Sequence, residues 1–175
     1  MTGRTRLITR VALFSALIYV LSWATSVLPN INFAFFIAFT AGLVWGGIPG
    51  LLVGGIGMWL WTWFNPWGPA ALPVALAQVG GMALCGLIGR LYRPERTWTY
   101  VGVSAVLWFA LAGFLCSLSF YVPVAVVDAW VHRPFWPRLI GGLSFSAVSV
   151  VANMVIFPLL FGVTRRLYLR ETATL

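Results

Sequence analysis

The stretch ITRVALFSALIYVLSWATSVL, Ile8–Leu28, decides the fold. A helix needs about 20 mainly apolar residues to cross a hydrocarbon layer about 30 Å thick, and this stretch supplies them. Its single charge, Arg10, stands near its start, behind Arg4 and Arg6. It stops before Pro29, which cannot continue a helix. Basic residues, an apolar run and the small residues Ala24-Thr25-Ser26 also suggest a cleaved secretory signal, but such a signal has an apolar core of only about 7–15 residues. The run from Val11 is longer and more apolar runs follow. The segment is expected to remain as the first helix of a multi-span protein.

Working outward, Pro29-Asn30-Ile31-Asn32 interrupts the apolar run. A second helix is expected over residues 33–45, stopped by Gly46-Gly47-Ile48-Pro49, and a third over 50–64. Asn65-Pro66-Trp67-Gly68-Pro69 is a turn. A fourth helix covers 70–91, a fifth 98–127 with Pro123 expected to kink or end it, and a sixth 138–163. The expected class is an all-α integral membrane protein, one membrane domain over residues 1–175 with six transmembrane helices. A basic tail with Arg165, Arg166 and Arg170 follows.

Composition agrees. The chain is 61% hydrophobic and 8% charged, where soluble domains carry about a quarter charged residues. A globule of 175 residues could not bury that much apolar surface without lipid. All eleven basic residues are arginines, giving a net charge of +8. Six spans put Arg4, Arg6, Arg10, Arg90, Arg93, Arg96, Arg165, Arg166 and Arg170 on one side, and only Arg133 and Arg138 on the other. By the positive-inside rule, both termini are expected in the cytoplasm and the protein in the cell inner (cytoplasmic) membrane, as a multi-pass protein. The charge therefore marks topology. No basic stripe with interleaved aromatics stands outside those flanks, so no nucleic-acid partner is expected.

The chemistry is sparse. Cys85 and Cys116 lie inside apolar segments without metal-ligand spacing, so no metal is expected. A lysine-free chain has no phosphate-binding loop with its lysine. Asp128 and His132 share an outer loop and could meet, the one candidate pair for acid–base work. A solvated loop pair explains them as well. Ion-coupled carriers place an ionisable group near the bilayer centre. Here the mid-membrane polar residues are Gln78 and Asn153, so any uphill transport must draw energy from a partner.

Small residues recur at four-residue spacing: Ala12 and Ala16 on helix one, Gly50 and Gly54 on helix three, and Ala77, Gly81, Cys85 and Gly89 on helix four. That spacing lets backbones approach in lipid. Packing within the domain is expected for helices three and four. On helix one, packing and partner docking compete. Trp59, Trp61, Trp63, Phe64, Asn65 and Trp67 crowd the outer end of helix three, and Asn30 and Asn32 sit in the neighbouring turn. Rings settle at membrane interfaces. Rings beside Asn30, Asn32, Asn65 and Gln78 also make the apolar wall with convergent polar groups that a small-molecule pocket needs.

With these residues in hand, the chain resembles a substrate-binding (S) component of an energy-coupling factor (ECF) vitamin transporter. The resemblance covers about residues 8–165. It rests on the six-helix length, on Ala12-Leu13-Phe14-Ser15-Ala16, on Pro29–Asn32 with Ala41–Gly46 and the glycines at 50, 54 and 55, and on Asn65–Pro69 before a helix ending Gly89-Arg90. It implies a vitamin-like substrate held in the outer half under the loop between helices one and two. Asn30, Asn32, Asn65, Trp67, Gln78 and Tyr121 lie in pocket-lining segments, and Trp61 and Trp63 are added as candidates from the aromatic cluster. It implies docking through Ala12 and Ala16 onto a membrane scaffold subunit with two ABC-type ATPases. No cofactor is bound covalently, membrane lipid surrounds the chain, and ATP is used only by the partner subunits. The protein would then be no enzyme. Two alternatives stay open: a structural scaffold of the cell-elongation (rod-shape) type, and a small lipid-acting intramembrane enzyme using Asp128 and His132.

Overall fold

The structure, a computed structural model, describes residues 3–28, 31–92 and 102–173. Among them the chain forms helices in the order α1 (Gly3–Ala24), α2 (Ala34–Trp45), α3 (Gly47–Phe64), α4 (Leu72–Leu91), α5 (Val103–Val131), α6 (Phe135–Leu159) and α7 (Phe161–Thr172). Five of these, α1 and α3–α6, are long and apolar enough to cross a membrane. The chain is an all-helical membrane bundle.

The helix expected over 33–45 forms, but it is shorter than the layer it lies in. Twelve residues rise about 18 Å, against a hydrocarbon layer of about 30 Å. Every residue from Ala34 to Leu43 is buried. A helix that is apolar all round belongs inside a bundle, and α2 packs on α1, α3 and α4 while touching α5, α6 and α7. Phe39 stacks edge-on against Tyr92 and Phe109, and Phe36 against Phe157.

Glycines set how closely the neighbours approach. A Cβ on Gly42 would strike the Gly86 carbonyl, one on Gly86 would strike Gly50, and one on Gly89 would strike the Phe39 carbonyl. The four-residue stripes on α3 and α4 therefore pack within the domain, with Gly42 and Gly86 as further members of the same knot. Between α2 and α3 the break shrinks to one residue. Gly46, at φ +103°, turns the chain, and Pro49 fits the first turn of α3 where no helical N–H is needed.

Other boundaries differ. Pro123 does not end the fifth helix, which runs on to Val131 and extends about 44 Å. The sixth ends at Leu159, next to Pro158, and the basic tail beyond Leu160 is itself a helix. Its buried Thr164 hydroxyl lies 3.1 Å from that of Thr40 on α2. The first helix starts earlier than expected, at Gly3, and ends at Ala24.

The basic segments gather at one end. Arg10 pairs with Glu171 and lies over the Trp45 ring, while Gly47 meets the Arg90 side chain. Arg133, between α5 and α6, and Arg138, in the first turn of α6, stand at the other end. Arg93, Glu95 and Arg96 lie outside the described residues.

The glycine knot yields a prediction. Gly42→Ala should lower stability by about 1–3 kcal/mol through overpacking, read as a lower melting temperature in detergent. Gly80→Ala, where a Cβ meets open space, should leave melting unchanged or raise it.

Candidate functional site

Toward the arginine-poor end, the short α2 leaves room. A cleft of about 440 Å³ lies over its N-terminus. Phe35 and Phe120 form an edge-on pair with ring centroids 5.2 Å apart, and the Tyr121 ring tilts against Phe35 at 5.5 Å. Met58 and Trp61 of α3 and Gln78 of α4 line it from another side. Thr25–Leu28, at the end of α1, and Ile31-Asn32 lie along it. Trp67 and the exposed Phe145 also border it.

Its polar atoms are held by the fold. Asn32 Oδ1 accepts the Ala34 N–H at 2.8 Å and the Ser22 hydroxyl at 3.3 Å, joining the start of α2 to the end of α1. Gln78 Oε1 accepts the Thr62 hydroxyl at 2.9 Å, and no bond is made by its Nε2 among the described residues. The Tyr121 hydroxyl donates to Ser149 at 2.9 Å. The Trp23 indole donates to the Phe64 carbonyl at 3.0 Å, fastening α1 to the end of α3. Trp61 stands edge-on between Trp23 and Trp67. Among the described residues no charged side chain borders the cleft.

The structure thus brings together Asn32, Trp61, Trp67, Gln78 and Tyr121. Two other candidates lie outside the lining. Asn65 builds its own turn: its Nδ2 donates to the Trp61, Thr62 and Gly68 carbonyls, and its Oδ1 accepts the Trp67 N–H. Trp63 packs against Trp59. Asn30 falls outside the described residues. Sequence reasoning missed Ser22, Thr25 and Ser26. Their signal was a polar cluster at the end of an otherwise apolar helix, of which Thr25 and Ser26 were read only as small residues.

Ala12 and Ala16 are exposed. The buried face of α1 is Val11, Ser15, Ile18 and Ser22, so the alanines sit on a neighbouring face left exposed by the described residues. Asp128 does meet His132, at 3.0 Å, and also Arg138, at 3.2 Å, but this cluster is half exposed and apart from the cleft. Among the described residues no group of three His, Cys, Asp or Glu could hold a metal. No acidic or basic side chain is buried in the bundle among them either.

A family model described as "ECF-type riboflavin transporter, S component" matches residues 3–166. No curated protein and no solved structure matches the chain.

The lining implies a flat pH response. Among the described residues its one titratable group is Tyr121, of a type that ionises near pH 10. Affinity for an uncharged ligand should change by less than about threefold between about pH 5.5 and 8.5 in equilibrium titrations. A larger change would place a charged group at the ligand.

Proposed function

The chain belongs to the ECF-type riboflavin transporter S-component family, and from that premise we propose that it captures a flavin-like vitamin from outside and hands it inward. An S component is the substrate-binding subunit of a vitamin transporter, and this chain is a multi-pass membrane protein of that kind. The reading is carried by the uncharged, ring-lined cleft of about 440 Å³, within the usual range for small-ligand sites. A flat tricycle gains apolar contact from Phe35, Trp61 and Phe120. Its carbonyl and ring N–H edge needs directional partners, and Gln78, Asn32 and the hydroxyls of Ser22, Thr25 and Ser26 supply them. The absence of charge disfavours carboxylate, cationic and phosphorylated solutes, whose burial without a partner charge is costly.

The orientation follows the arginines, with both termini cytoplasmic in the cell inner membrane. The transport energy comes from elsewhere. With no buried acid or base among the described residues, the bundle has no ion-coupling group of its own. A scaffold subunit and two ABC-type ATPases supply ATP-driven release, and the scaffold docks on the exposed Ala12 and Ala16. Membership in a transporter family, together with the cleft, favours this reading over the rod-shape scaffold and the lipid enzyme.

Two outcomes test it. Riboflavin should quench tryptophan fluorescence saturably and one-to-one, and its phosphate ester should bind at least about tenfold more weakly. Trp61→Ala should cost about three- to tenfold in affinity. Equal affinity for the phosphate ester, or no saturable quenching, would overturn the substrate assignment. Separately, Ala12→Leu with Ala16→Leu should abolish uptake and leave binding intact, and loss of both together would remove the docking role.

A further inference from the structure

A second recess, of about 340 Å³, opens at the arginine-rich end, away from the cleft. Arg6, Thr9, Arg10 and Leu13 line it from α1, with Phe14, Trp45 and, from α7, Leu167 and Glu171. The four α1 positions follow helical spacing, so they share one face. Arg10 pairs with Glu171, and its guanidinium carbon lies 5.4 Å from the centre of the Trp45 ring. Arg6 is half-buried, close enough to repel Arg10, and has no ion-pair partner among the described residues. Among the described residues one carboxylate faces two guanidinium groups, so their charges leave the recess net positive. The Trp45 Nε1–H is also buried without an acceptor among the described residues.

Below the charges the chemistry changes in one direction. Leu13 is 63% exposed and Leu17 40%, one turn further along the same side of α1. Read along the helix, the two guanidinium groups, with the Thr9 hydroxyl between them, give way to bare aliphatic surface. A phospholipid likewise joins an anionic phosphate to an acyl chain. A free anion would use only the first part of the surface.

We propose that this recess binds an anionic phospholipid, its phosphate diester between Arg6 and Arg10 and an acyl chain along Leu13 and Leu17. Basic pockets between helices at the cytoplasmic surface suit such headgroups, and each arginine near the surface contributes about a fivefold preference. The site is independent of what the cleft binds, and its test uses no vitamin.

The full chain would be equilibrated with equal amounts of phosphatidylglycerol and phosphatidylcholine and its retained lipids counted by native mass spectrometry. Phosphatidylglycerol should be retained at least about fivefold over phosphatidylcholine. Arg6→Gln should bring the ratio toward one, Arg6→Lys should preserve it, and Arg133→Gln, at the opposite end, should not change it. Millimolar inorganic phosphate should not displace the lipid. Equal retention by the wild type, a preference that survives Arg6→Gln, or displacement by phosphate alone would overturn the proposal.

Discussion

Everything in this bundle depends on how closely α2 can be enclosed. A helix buried on every side has to bring its backbone against its neighbours, and in lipid the attraction available is close packing of small residues. Gly42, Gly50 and Gly86 supply that contact where α2, α3 and α4 meet, and Gly89 does so one turn on. The single-residue turn at Gly46 then fixes the end of α2 beside the arginines. Its length does the rest. At about 18 Å in a layer of about 30 Å, α2 stops roughly 12 Å short. The longer helices around it continue, and the space they enclose is the cleft.

The same geometry explains the character of the cleft. Its base is the start of a helix apolar but for Thr40, so aromatic rings dominate there. Apart from Gln78 and Tyr121, its polar groups come from places where helices end and backbone groups already need partners. Asn32 serves the start of α2, and the Ser22–Ser26 segment closes α1. Polar groups held by the fold before a ligand arrives lose little freedom when it binds. A chamber without charge can discriminate by shape and hydrogen bonding, but it cannot couple solute movement to an ion gradient. That division of labour suits a subunit whose energy is supplied by others.

Much of this was legible in the chain. Span length, the arginine asymmetry and the glycine stripes are local patterns with direct physical meaning, and they gave the membrane bundle and its two ends. The aromatic crowd at Trp61–Trp67 marks the same end as the cleft. Sequence could not separate side chains that face the cleft from those that serve a turn. Asn65 and Asn32 look alike in composition, yet one closes its own loop on three carbonyls while the other joins α1 to α2. Nor could an apolar run of twelve residues reveal that it lies inside the bundle, because burial on all sides is set by partners distant in sequence. The tail helix was hidden for a related reason: its arginines read as topology, and its one buried anchor, Thr164, meets Thr40 far back in the chain.

The most direct test is a structure of the lipid-embedded protein loaded with riboflavin. A ring stacked over Phe35, with its polar edge toward Gln78 and Asn32 and the Thr25–Asn32 segment above it, is the expected result. A ligand lodged elsewhere, or an α2 that runs on to fill the space with its own side chains, would contradict the account.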